Sequence, residues 1–235
     1  MSPSIPLEAT EAFASLAELV YSGADHQEVL DTICRRAVDI IPGADHVSIA
    51  TLGKDQALIS RAASDDVASL MDRLETEAGE GPCLDSIVEE SFQRDDDITS
   101  FSTWPALAEL TIGRTPVRGM IGYRLQHGTD GRSALNVFSD TPGALTSESA
   151  DIGAVLAAFT SIALTAAERQ ADVENLRRGL DSNREIGKAV GLIMAAHDVD
   201  ADQAFDILRS ASSRTNTKLA AIAEKITGSH GRSTS

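Results

Sequence analysis

The residues best suited to chemistry fall between Arg177 and Lys218 of the 235-residue chain. Arg184 and Lys188 stand four apart, the spacing that puts two side chains on one face of a helix. Arg177 and Arg178 precede them by one to two turns. Arg209 follows, and Arg214, Thr215, Asn216 and Lys218 cluster shortly after it. Cations of this kind neutralise phosphates, and amide or hydroxyl groups can reach base edges. A helix N-terminus near Thr215–Lys218 would add backbone N–H donors. Ala189 and Gly191 are small enough to let a base or a backbone come close, or to let two helices pack tightly. Each cation also has a plainer reading as part of a solvated, ion-paired helix face. Glu185 and Asp206 are ready partners for Lys188 and Arg209.

Other familiar chemistries are absent from the sequence. There is no Ser/His/Asp set, phosphate-binding P-loop or Gly-rich dinucleotide turn. The five histidines, 26, 46, 127, 197 and 230, lack ligand spacing, so neither metal nor haem is expected. Cys83, behind Gly-Pro, could be a redox-sensitive thiol, but no Lys, Arg or His adjoins it and a structural role at a helix end suits it better. Cys34 reads as apolar filler. The run Asp95-Asp96-Asp97 could meet a cation or form a solvated turn. No catalytic residues and no cofactor are expected.

The elements that must position the cations follow from the hydrophobic pattern. Residues 10–21 and about 25–41 read as helices, the first capped by Thr10 and the second stopped by Pro42-Gly43. His46–Leu52 and Gln56–Ala63 form a hairpin, and Arg118–His127 with Arg132–Ser139 a second one around Gly128–Gly131. Short helices are expected over 65–76, 84–90 and 104–110, with turns over 95–103. Antiparallel strands flanked by helices make residues 1–165 an α+β domain. Beyond Pro142-Gly143 a long helix is expected over about 147–196. Phe159, Ile162, Ala166, Val173, Leu176 and Leu180 recur there in alternating steps of three and four, a heptad-like seam that would pair with a second copy or pack back on its own domain. Two more helices close the chain. Asp200 to Gln203 forms a capping box for one, and Asn216 or Thr217 caps the other, which ends at Gly228. Residues 229–235 read as a disordered tail.

Charge divides along the same line. Residues 1–167 carry 10 basic and 26 acidic side chains, whereas residues 168–235 carry 10 of each. The first part would repel a polyanion and the second would not. With 9 aromatic residues in all, base stacking would not dominate any nucleic-acid contact. No stretch of 18 apolar residues and no secretory leader is apparent, so a cytoplasmic protein off the membrane is expected.

The spacing of Ile186, Lys188, Ala189, Gly191, Leu192 and Met194, then Ala204, Phe205, Leu208, Arg209 and Ser212, then Asn216, Lys218, Leu219, Ile222 and Ala223 resembles the ANTAR domain over about 175–228. That resemblance implies an RNA-binding transcription antiterminator that acts as a dimer on paired hairpins with short loops. It implies RNA contact by Arg177, Arg184, Lys188, Gly191, Arg209, Arg214, Thr215, Asn216 and Lys218. The first 165 residues resemble a GAF sensor domain, through their element order and the Gly79–Cys83 loop, and imply an unknown small-molecule ligand. The division expected is 1–165 for the sensor, 166–228 for coiled helix and ANTAR domain, and 229–235 for the tail. A dimeric adaptor binding protein rather than RNA is the alternative. A sensor-kinase fragment fits poorly, since the long helix has no His before His197.

Overall fold

The computed structural model describes residues 7–21, 25–89, 92–126 and 132–230. The chain forms two compact units, Met1–Glu168 and Arg169–Ser235. The boundary falls inside one helix.

The first unit is built on a five-stranded antiparallel sheet. Helices α1 (Leu7–Tyr21) and α2 (His26–Ile40) lead into β1 (His46–Leu52) and β2 (Leu58–Ala63). Then come α3 (Asp66–Ala78), α4 (Pro82–Glu89), β3 (Phe92–Asp95), α5 (Pro105–Arg114), β4 (Gly119–Leu125) and β5 (Ser133–Ser139). The long helix α6 spans Ser147–His197. The strand order is β2-β1-β5-β4-β3. Strand residues alternate between faces. Val47, Ile49, Ile121, Tyr123, Leu135 and Val137 join Leu30, Ile33 and Cys34 of α2 and Ile152, Leu156 and Leu164 of α6 in one core. The opposite face is covered by α3, α4 and α5. There Met120 and Phe138 pack with Met71, Leu74 and Leu107, and Ala50 and Ala134 pack with Cys83 and Ile87. Burial on both sides explains why all seven residues of β5 are buried.

Several boundaries differ from the sequence pattern for physical reasons. The first helix begins at Leu7, so Thr10 lies within it rather than capping it. The side chains of Phe13 and Val20 lie outside the described residues, as do His127 and the turn 128–131. Asp25 and Asp65 accept from Gln27 and Ala68 amides and cap α2 and α3. The Gly79–Cys83 stretch is only partly loop, because Pro82 already opens α4, where its missing N–H costs nothing. Strand β3 is hidden in the sequence. It is a four-residue edge strand with a polar composition, and its pairing to β4 alone defines it.

In α6, Ser147–Ala166 is long and apolar enough by composition to cross a membrane, with mean hydropathy 1.5. Ile152, Leu156, Ala157, Ala163 and Leu164 of that segment are instead buried in the core.

The second unit consists of the end of α6 with α7 (Ala201–Thr215) and α8 (Leu219–His230). Ala189 and Ile193 of α6, Ala204 and Leu208 of α7, and Ala223 of α8 make its buried centre. The capping box at Asp200 is present: Asp200 Oδ1 accepts from the Gln203 amide at 2.8 Å, and Gln203 Oε1 accepts from the Asp200 amide at 3.2 Å. Asn216 does not start the last helix. It ends α7 in the left-handed conformation (φ 47°), which Asn tolerates better than most residues. Gly228 likewise lies inside α8, which runs on to His230. Residues 231–235 of the expected tail lie outside the described residues.

Candidate functional site

Helical geometry groups the cations of the second unit. At about 100° per residue, Arg177, Arg184, Lys188 and Gly191 fall on one strip of α6, and Ala189 and Ile193 fall roughly opposite. Arg177, Arg184, Lys188 and Gly191 are exposed, whereas Ala189 and Ile193 are buried against α7 and α8. Arg214, Thr215, Asn216 and Lys218 form a second exposed group at the α7–α8 turn. The turn is held by Ser212, whose hydroxyl donates to the Thr217 carbonyl at 2.6 Å, and by Thr215, whose hydroxyl donates to the Ala211 carbonyl at 2.8 Å. Arg209 lies on α7 more than a turn before this group. The α6 strip and the turn are thus two separate cationic features, because the α6 strip faces away from the helices that carry the turn.

The ion-paired reading applies to two of these cations. Lys188 Nζ lies 2.7 Å from Glu185 Oε1, and Arg209 pairs with Asp206 at 2.9 Å. Glu185 also accepts from Thr227 Oγ1 at 3.0 Å, joining α6 to α8. Hydrogen bonds from Lys188 and Thr227 hold its carboxyl below the usual range. Arg184, Arg214 and Lys218 pair with no acidic side chain among the described residues. The tight-packing reading suits Ala189 but not Gly191, since a Cβ built on Gly191 meets nothing within 4 Å.

The seam of α6 is open over most of its length. Ile162 is 67% exposed in the first unit, and Leu176 and Leu180 are 66% and 61% exposed in the second. Val173 and Ala166 are exposed as well. Phe159 departs from the expected seam: it packs on the sheet core of its own unit.

In the first unit a polar row crosses the sheet face beneath α3 and α4. Ser48, Asn136 and Gly122 are direct partners across β1, β5 and β4. Over them α3 presents Asp72 and Glu75, both fully buried. Asp72 Oδ1 accepts from Ser48 Oγ at 2.8 Å and Asn136 Nδ2 at 3.2 Å. Glu75 Oε2 accepts from the amides of Cys83 at 3.0 Å and Leu84 at 3.4 Å, capping α4. Gly81 (φ 152°) makes this closure possible, because a Cβ there would collide with the Glu75 carboxylate. Burial pushes Asp72 up to about 6, against hydrogen bonds from Ser48, Ser60 and Asn136. Burial and the neighbouring Asp72 push Glu75 well above the usual carboxylate range. The sequence pattern did not single out this row; two acids three apart on an amphipathic helix look like its solvated face.

The remaining candidates are locally satisfied. Cys34 and Cys83 are buried, and burial above all raises both thiols. Asp95 Oδ2 accepts from Ser102 at 2.7 Å, Asp96 pairs with Arg94, and Asp97 accepts from the Thr99 amide at 2.9 Å, so this run builds a turn. His46 sits between Asp65 (2.6 Å) and Asp140 (3.2 Å).

Comparison with known proteins addresses both units. Residues 174–226 match the family model of the ANTAR domain. The sheet unit resembles the GAF domain of a phosphoenolpyruvate-protein phosphotransferase from Coxiella burnetii, with TM-score 0.54 and 14% identity over 71% of this chain and 98% of that one. It also resembles a phycoerythrobilin-bound GAF domain from a cyanobacterial phytochrome, with TM-score 0.57 and 8% identity over 71% and 100% of the two chains. The chain thus joins a unit with a GAF-like fold to a region, residues 174–226, that matches the ANTAR domain. A third similar structure is the free methionine-R-sulfoxide reductase of Neisseria meningitidis in complex with its substrate, with TM-score 0.52 and 16% identity over 69% and 91%. At these identities the likeness concerns the fold. Comparison with curated proteins gives no match. ANTAR domains are RNA-binding domains of the antitermination type, and the match includes Arg177, Arg184, Lys188, Arg209, Arg214 and Lys218.

Proposed function

We propose that this protein is a cytoplasmic transcription antitermination regulator that binds paired RNA hairpins as a homodimer, under control of a small molecule held by its GAF-like domain. The observation that carries the reading is the coincidence of the ANTAR match with the exposed cationic strip of α6 and the cationic α7–α8 turn. The open seam supports dimerisation: Ile162, Val173, Leu176 and Leu180 leave apolar surface in water that a second α6 would cover. Arg184 and Lys188 come directly after the last apolar position of that seam, so two paired copies would set two strips side by side. A coupling on the order of 1–3 kcal/mol between ligand and RNA would change RNA affinity severalfold or more. Buried thiols with raised pKa values support a regulatory rather than a thiol-catalytic role, since a reactive cysteine needs the reverse.

Binding to a two-hairpin RNA, titrated against salt, tests the proposal. Affinity should fall steeply with salt, and Lys188→Ala or Arg214→Ala should each reduce the logarithmic salt slope by roughly 0.7–0.9 for each phosphate left without its cation. The fold should be unaffected, because the exposed Lys188–Glu185 pair adds little stability. Unchanged affinity at low salt in both variants would remove these residues from the interface. Phe205 and Ile207, exposed on α7, favour the second reading of a protein-binding adaptor. That reading expects no salt-dependent RNA binding and no preference for loop sequence.

A further inference from the structure

The flanks of the α6 seam carry charges that the second unit leaves unanswered. Val173, Leu176 and Leu180 form an exposed apolar block, bounded by Arg169 at one end and Asn183 at the other. In a heptad Val173 and Leu180 stand at a, and Leu176 and Asn183 at d. A β-branched residue at a with leucine at d favours two parallel strands. Asp172 and Gly179 precede the two a positions, at g. Arg177 and Arg184 follow the two d positions, at e. All four are exposed. Neither Asp172 nor Arg177 pairs with an opposite charge among the described residues. The ANTAR resemblance counts Arg177 among the RNA contacts, but the seam gives it a nearer use.

We propose that a second copy of this chain docks parallel and in register along residues 173–180, and that Arg177 belongs to this interface, bonded to the partner's Asp172, while Arg184 stays free for phosphate. The proposal rests on the homodimer of the function above and is tested without RNA. In a parallel pair, g of one helix meets e of the next heptad on the other. Asp172 therefore meets the partner's Arg177, and the symmetry repeats the pair on the other side of the seam. Arg184 would meet Gly179, which has no side chain to answer it. Antiparallel arrangements lose the match. With Val173 set against Leu176, Asp172 comes opposite Gly179; shifted by a heptad, it comes opposite another Asp172. Arg169 meets its own copy in the parallel pair, at the end of the block. Its long stem lets the guanidinium leave the seam toward Asp172, one turn further on.

The test is sedimentation equilibrium of the full chain at low salt, where exposed charges are least screened. Asp172→Arg and Arg177→Asp each set like charges against one another on both sides of the seam. Each should raise the dimer dissociation constant about tenfold, since exposed pairs are lost and comparable repulsions gained. Combining the two substitutions in one chain restores opposite charges and should return the constant to within about threefold of the wild type. An equimolar mixture of the two single variants should form the mixed dimer in preference to either parent, because both of its pairs are then of opposite sign. Orientation is read separately with Asn183→Cys. Only a parallel, in-register pair sets position 183 beside itself, so dissolved oxygen should yield a covalent dimer. Cys34 and Cys83 are buried and give no background. A dimer indifferent to Arg177→Asp, a combined variant that is not restored, no preference for the mixed dimer, or no covalent dimer from Asn183→Cys would each overturn the proposal and leave the homodimer standing. A monomeric wild type would overturn both.

Discussion

At the scale of single residues, burial governs the acids of the GAF-like domain. Asp72 faces Glu75 on its own helix, Cys83 of α4, and Ser48 and Asn136 of the sheet, with Arg73 the nearby cation. Its carboxyl rises to about 6 in the fold. An acid with a raised pKa is favoured protonated in the folded state, so the stability it contributes at low pH is lost as pH rises through about 4 to about 6. Lowering pH from 7 to 5 should therefore stabilise the domain by on the order of 1 kcal/mol, raising its thermal midpoint by a few degrees. Asp65, whose carboxyl is held low by its His46 and backbone hydrogen bonds, does not oppose this until the pH falls further. Asp72→Asn should reduce the slope and leave the part contributed by Glu75, whose carboxyl burial also raises. A midpoint that falls between pH 7 and 5 in both proteins would contradict burial as the controlling effect.

At the scale of elements, packing accounts for two features that composition does not. Gly122 lies in the polar row where the Pro82 carbonyl of α4 presses on β4, and an added Cβ would strike that oxygen. Since the obstacle is backbone, Gly122→Ala should destabilise the domain by about 1–3 kcal/mol in urea unfolding. Helix α6 has two apolar patterns superimposed. Leu156 and Leu164 serve the core of the first unit, whereas Ile162, Leu176 and Leu180 remain exposed. Replacing Leu176 and Leu180 together by Asp should leave the circular dichroism unchanged and yield a monomer by sedimentation. RNA affinity should fall about tenfold or more as bivalent engagement is lost. A double variant that stays dimeric would place the interface between copies elsewhere.

At the scale of the whole molecule, the charge division sets how a polyanion meets it. The acidic first 167 residues repel RNA and the balanced remainder does not. Binding by the isolated residues 169–235 should therefore be less weakened at low salt than binding by the full chain, provided the shorter piece remains folded by circular dichroism. Equal affinities at low salt would show that the acidic domain exerts no long-range effect.

How much of this was legible in the sequence depended on how local the signal was. The β1 boundaries, the Asp200 capping box and the helical start at Trp104-Pro105 follow from neighbours in the chain, and the structure has them where the pattern put them. The ANTAR motif is legible for the same reason, since its spacing falls on three consecutive helices. Strand β3, the diversion of Phe159 into the core and the separation of the α6 strip from the α7–α8 turn needed partners far away in the chain. The buried acids are the sharpest case. Asp72 and Glu75 are ordinary helix residues until the fold brings Ser48, Cys83 and Asn136 beneath them, because a carboxylate's solvation is decided by which strand lies opposite. Periodicity and capping therefore determined the elements, whereas only tertiary packing decided which polar groups lost their water.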